Sequence, residues 1–181
     1  MLKLRKIRED DLAMVMNWRM DPDVTKYMYT DPKLDMEKQR MWFKAISVDE
    51  TSKYWIINYD DIDVGLISIT GFDSQNKRCS WAYYVADKNM RGKGIGVAVE
   101  CNVYDYVFNR LGLEKLCCEV FSFNDKVVQL HEKFGSRREG YLRNHIIKDG
   151  KSYDVVSLAI LKAEWTGIRK GFSYPIIDIE E

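Results

Sequence analysis

Three glycines, Gly92, Gly94 and Gly96, alternate with Lys93 and Ile95 directly behind Arg91 in the stretch NMRGKGIG, residues 89–96. A β-rich run, CSWAYYVA, precedes them, and Val99, Val103, Tyr106 and Val107 follow at helical spacing. Glycines in that setting can make a tight turn and nothing more. They can also bare the first-turn N–H groups of a helix, which are unpaired and carry partial positive charge. With no Cβ in the way, an anion can approach that backbone closely. Arg91 and Lys93 add full charges at the mouth, so a pyrophosphate suits the cradle. The dinucleotide pattern GxGxxG is excluded because position 97 is Val97, and the Walker pattern because Lys93 is followed by Gly94 and not by Ser or Thr.

Composition limits what else the chain can do. Its 181 residues suit one domain, and 46% apolar residues supply a core. Lys+Arg and Asp+Glu balance at 28 each, so no global field draws nucleic acid or an acidic membrane, and any basic site must be local. Cys79, Cys101, Cys117 and Cys118 form no CxxC pair and read as buried free thiols of a reducing compartment. The two histidines, His131 and His145, are far apart and make a poor metal set with those thiols. The N-terminal residues lack an apolar stretch of signal-peptide length, and no run approaches the ~20 apolar residues of a membrane span. The expectation is a cytoplasmic protein that binds neither nucleic acid nor membrane.

Hydrophobic period gives the elements that must position the loop. LKLRKI alternates as a strand. A helix capped by Asp10 or Asp11 follows and stops before Pro22, and a second is capped near Asp35. KYWIINY and VGLISIT form a hairpin around DDID (60–63), and CSWAYYVA is the next strand. After the cofactor-type loop come a helix stopping at Gly112, the strand KLCCEVF, the short helix NDKVVQLHEKFG and a hairpin around Asp149-Gly150. The order β-αα-β-β-β-α-β-α-β-β describes an α/β (α+β) fold. It has a mixed, mostly antiparallel sheet of about seven strands, about four helices and one parallel step. Residues 1–162 read as one domain and 163–181 as a tail without clear period, irregular or packed on a neighbour.

RGKGIG between that strand and helix resembles the acyl-CoA pyrophosphate loop of the GNAT superfamily of N-acetyltransferases. KLCCEVF, Asn124 and LHEKFG follow in the family's order, and the closing hairpin resembles those of its ribosomal-protein and sugar branches; the likeness runs from residue 2 to about 162. The resemblance implies acetyl-CoA as co-substrate and no metal. It assigns Arg91, Gly92, Lys93, Gly94, Ile95 and Gly96 to the pyrophosphate. It places an oxyanion-binding N–H near Val85 or Ala86, at a bulge that splays two central strands for the pantetheine arm. Asn124 would bond that arm, cap the next helix, or do both. Glu119 stands where a base acting through water is proposed, and is otherwise a carboxylate exposed on a strand. Its alternation with Cys117 and Phe121 suggests apolar enclosure, which would raise its pKa. His131 replaces the usual tyrosine acid: it is a proton donor or a helix residue lining the CoA site. His145 is structural or substrate-facing.

NWRMDPDVTKYMYT and EKQRMWF resemble the N-acetyltransferases acting on UDP-4-amino-4,6-dideoxy-N-acetyl-β-L-altrosamine in pseudaminic acid biosynthesis. Met20 replaces an asparagine of that pattern, and Gln39 stands near where a histidine is common. On this likeness Arg19 contacts a nucleotide phosphate, or else meets its helix dipole. Met28, Tyr29 and Trp42 are walls for a uridine or 6-deoxy sugar, or core. The resemblance implies direct transfer of acetyl to a UDP-linked amino-deoxy sugar, and a possible homodimer. Two alternatives remain. One is a ribosomal-protein N-terminus or polyamine acceptor, the latter needing carboxylates such as Asp31, Asp35 and DDID. The other is a non-catalytic acyl-CoA-binding module.

Overall fold

A computed structural model describes residues 1–90 and 92–181. Alternating LKLRK forms β1 (Leu2–Lys6). After a 3₁₀ turn come α1 (Leu12–Met20) and α2 (Pro22–Thr25), whose start is capped by Asp21 Oδ1 accepting from the Asp23 N–H at 2.8 Å. α3 (Met36–Val48) starts at Asp35, as the sequence suggests: its carboxylate accepts from the Lys38 N–H at 2.8 Å. β2 (Lys53–Tyr59) and β3 (Ile62–Asp73) join through Asp60 and Asp61, both at positive φ, the turn that a twisted hairpin prefers. β4 (Arg78–Val85), α4 (Ile95–Asp105), β5 (Lys115–Phe121) and α5 (Asp125–Lys133) follow. The chain closes with the hairpin of β6 (Arg137–Lys148) and β7 (Lys151–Leu161), then α6 (Lys162–Ile168) and β8 (Asp178–Ile179).

The strands form one mixed sheet in the order β6-β7-β5-β4-β3-β2-β1-β8. β4 and β5 are its central parallel pair. They bridge only from Arg78–Lys115 to Ser80–Cys117, although β4 runs on to Val85 and β5 to Phe121. Beyond Trp81 and Cys118 the two strands part, leaving an open gap in the middle of the sheet. This is the splay that the resemblance implied.

Strand alternation divides the core between the two faces. Trp81, Cys118, Tyr104, Phe108, Phe134 and Trp165 pack on the face covered by α4 and α5. Val15, Ile56 and Leu66 gather Trp18, Trp42, Tyr54 and Tyr84 beneath α1 and α3 on the other. The last residues are regular in part: α6 and β8 flank residues 172–177, which form no helix or strand. Trp165 is 1% exposed. Its indole N–H, the Arg169 guanidinium and the Tyr174 hydroxyl all donate to Asp105. β8 adds a parallel strand beside β1. Asp105 on α4 and the β1 strand hold the segment from outside it, which is why it shows no period of its own.

Candidate active site

The glycine loop delivers the geometry that its composition suggested. Gly92 and Gly94 sit at φ 80° and 79°, in the left-handed region, and Gly94 is the N-cap of α4. No side chain caps this helix start, so its first N–H groups face outward as a ready anion cradle. Lys93 stands exposed at the rim. Arg91 lies outside the described residues. Behind the cradle, the Tyr83 hydroxyl would stand 3.2 Å from a Cβ placed on Gly96.

The gap between β4 and β5 is shaped by Gly65 on β3. A Cβ there would lie 2.0 Å from the Tyr84 carbonyl oxygen and 3.1 Å from Val85 Cα. The two backbones therefore approach closely where β4 turns away. Ala86 does not offer a spare N–H, which corrects the oxyanion reading at that position: it donates to the Val64 carbonyl at 2.8 Å. Val85 ends β4 opposite Gly65. Asn124 is the N-cap of α5 by position, but its side chain makes no capping bond. Its amide instead lines a large cleft.

That cleft, about 1130 Å³, opens between α2 with its following loop, the end of β5 and the β6–β7 hairpin. Its wall is aromatic. Tyr27 stacks on Phe123 at 6.2 Å, Phe123 on Phe121 at 5.1 Å, and Tyr153 meets both. Lys33 and Lys126 also line it. Lys148, on β6, holds the opposite loop in place: its ammonium donates to the carbonyls of Thr25 and Met28 and pairs with Asp31 at 3.0 Å. Lys148→Met removes these charge-assisted bonds from a largely buried site and costs about 2 kcal/mol. A thermal melt should fall by about 4–8 °C; an unchanged midpoint would show that the loop does not depend on this lysine.

The other predicted residues are placed as follows. Glu119 is on β5 at the edge of the gap, and the Tyr29 hydroxyl donates to it at 2.7 Å. It is exposed, not enclosed by Cys117 and Phe121, which corrects the burial expectation. Strand alternation puts the three on one face, where Phe121 is buried but Glu119 itself stays exposed. Burial, then the Glu119 carboxylate, hold the Tyr29 phenol well above its ordinary pKa, so it remains a donor. Arg19 donates to Thr30 Oγ1 at 3.1 Å, while its buried Nε has no protein partner among the described residues. Nor has the hydroxyl of Tyr84 on β4. Both atoms belong to the face that carries Glu119. Gln39 is 3% exposed, and Trp42 packs edge-on against Tyr54 at 5.4 Å; neither lines the cleft, and of its two readings Trp42 takes the core one. Met28 contributes its carbonyl to Lys148. His131 is 4% exposed and faces inward toward Glu100, not out to the cradle. His145 is exposed on β6.

Sequence reasoning missed Tyr27, Phe123, Tyr84 and Lys148. Their partners lie on other elements, so no local spacing signals them. Among the described residues no group of three or more His, Cys, Asp or Glu side chains is placed to hold a metal, and no helix is long and apolar enough to cross a membrane.

An uncapped glycine cradle beside a parted parallel strand pair, with a carboxylate at the gap and a separate cleft beyond, defines an acyl-CoA-dependent transferase. Residues 1–137 match the family described as the acetyltransferase (GNAT) domain, more than half the chain. The chain belongs to the GNAT acetyltransferase family, and it is an acetyl-CoA-dependent N-acetyltransferase. It is 28% identical over 171 residues to the N-acetyltransferase p20 of Bacillus licheniformis, covering 92% of this chain and 96% of that one. It is 26% identical over 136 residues to the acetyltransferase PseH of Campylobacter jejuni, covering 74% and 83%. Its fold matches the crystal structure of spermidine N-acetyltransferase from Vibrio cholerae in complex with CoA and spermine, with a TM-score of 0.85, 21% identity and coverage of 91% and 98%.

Proposed function

We propose that the chain transfers acetyl directly from acetyl-CoA to the 4-amino group of a UDP-linked amino-deoxy sugar, as in nucleotide-sugar biosynthesis of the pseudaminic acid type. The observation that carries this is the cleft. Stacked aromatic rings suit a planar base, lysines suit a diphosphate, and the volume suits a nucleotide sugar. The likeness to PseH supports the same choice. A polyamine needs free carboxylates, and the aspartates that the sequence offered are engaged. Asp61 pairs with Lys3 and Asp63 with Arg5, Asp60 meets the N-terminus, Asp31 holds Lys148 and Asp35 caps α3. The likeness in fold to the Vibrio cholerae enzyme keeps a polyamine as the second reading.

In this reading the cradle at Gly92–Gly96, with Lys93 and Arg91, holds the pyrophosphate, and Asn124 bonds the pantetheine arm. Arg19 Nε and the Tyr84 hydroxyl take polar groups of the acceptor. Glu119, steadied by Tyr29, accepts the ammonium proton through a water so that the neutral amine can attack the thioester carbonyl. The C–S bond breaks, and the departing thiolate takes a proton that originates on His131.

Thiol release from acetyl-CoA should be measured against UDP-4-amino sugars, spermidine, spermine and N-terminal peptides. Turnover confined to a UDP-4-amino sugar is expected. Turnover on spermidine or a peptide alone refutes the sugar assignment. Phe123→Ala should raise the KM of the UDP-sugar about tenfold, because base–aromatic stacking is worth about 1–3 kcal/mol. An unchanged KM would remove the base from this wall.

A further inference from the structure

On the other side of the sheet a polar cluster fills a place where apolar side chains would pack more simply. Glu100 on α4 is fully buried. Its Oε1 accepts from the Tyr104 hydroxyl at 2.5 Å and meets His131 Nδ1 at 2.6 Å. Tyr104 also bonds Ser136 Oγ at 3.0 Å, while Glu100 Oε2 has no protein partner among the described residues. The His131 ring stands edge-on to Trp81, with centroids 5.5 Å apart, and has the Cys118 thiol as a neighbour. Trp81 and Cys118 are the first residues beyond the last β4–β5 bridge, so the ring sits at the head of the gap. Burying a carboxylate costs several kcal/mol unless it is well paired. Such a cost is poor value for stability alone, and removal of either partner would leave the other stranded.

We propose that Glu100 is a positioning residue for acetyl transfer: it fixes the His131 ring and its proton at the head of the β4–β5 gap, and Cys118 passes that proton to the departing CoA thiolate. This rests on the reading of His131 as the source of the proton. As the C–S bond breaks, its electron pair stays on the CoA sulfur. That sulfur takes the Cys118 hydrogen, Cys118 takes one from His131, and neutral His131 regains its proton from water. Cys118 bridges the distance that an imidazole, shorter than a tyrosine, does not span.

The groups facing the ring are Glu100 and Tyr104 from α4, Cys118 from β5 and Trp81 from β4. Burial by itself would push the imidazole pKa down; the Glu100 carboxylate, which accepts from the ring, outweighs it and, with the neighbouring Cys118 sulfur, moves it up to about 10. The ring is then charged across the neutral range. The pair stabilises the fold in full below about pH 6.5, and that contribution disappears as pH rises through about 10.

The test starts with the apo protein. Imidazole NMR signals are followed against pH, and His131→Asn assigns one of the two histidines by its absence. His131 should remain protonated at pH 8, and Glu100→Gln should lower its midpoint by more than one pH unit. On whichever amine is turned over, the same variant should move the alkaline limb of kcat to lower pH without changing the KM for acetyl-CoA. Cys118→Ala should lower kcat at least about tenfold, within the range for proton-transfer catalysis. A neutral His131 ring at pH 7 in the apo wild type would overturn the proposal, and so would an unmoved alkaline limb in folded Glu100→Gln. If that variant does not fold, the wild-type titration and Cys118→Ala still decide. The NMR arm involves no acceptor, so failure of the sugar assignment leaves it intact.

Discussion

Gly94→Asp should weaken acetyl-CoA binding at least about 100-fold in a calorimetric titration, since each 1.4 kcal/mol is a factor of ten. A Cβ added at Gly94 meets nothing within 4 Å, so the substitution does not clash with the fold. The backbone there is left-handed at φ 79°, which costs an L-residue about 1–2 kcal/mol. The larger effect is charge. The carboxylate enters the mouth of α4, where the pyrophosphate binds. Two like charges about 4 Å apart near a surface repel by about 4 kcal/mol. Gly94→Ala separates the two contributions: it carries the strain without the charge and should lose about tenfold. Circular dichroism should show both variants folded. A Kd for Gly94→Asp close to that of the wild type would place the pyrophosphate elsewhere.

Gly65→Ala should act on the fold itself. The added methyl would lie 2.0 Å from the Tyr84 carbonyl oxygen and 3.0 Å from its carbon, and both are backbone atoms that cannot swing aside. β3 and β4 must therefore separate along the stretch where Gly65 pairs with Val85. Overpacking of this kind costs about 1–3 kcal/mol, so the melting midpoint should drop by up to about 12 °C for a chain of this length. Activity should fall further than stability explains. Tyr84 and Val85 form the side of the gap facing Glu119, and their displacement alters the path of the thioester. A midpoint unchanged within about 2 °C would mean that the approach relaxes without cost, and that Gly65 does not shape the gap.

Much of this protein is legible along its sequence because the signals are local. The cradle is written in Gly92, Gly94 and Gly96, since left-handed backbone and an uncapped helix start depend on residue type at fixed positions. The Asp35 cap, the Asp60-Asp61 turn and the Asp149-Gly150 turn are legible for the same reason. The parted central pair follows from the family likeness carried by those local patterns. What the sequence left undecided depends on which distant elements meet. Alternation placed Glu119 on one face with Cys117 and Phe121, but only the fold decides that Glu119 is exposed there and that Tyr29 lies against it. His131 matches the position of an outward-reaching tyrosine, yet a buried carboxylate on a neighbouring helix turns it inward, and hydrophobic period cannot register such a partner. The cleft wall joins Tyr27, Phe123 and Tyr153 from three separate segments, and the loop across from it is held by Lys148, more than a hundred residues along the chain. Propensity and period act within a turn or a strand; burial, pairing and cleft shape are properties of the packed sheet, and they exist only once it has formed.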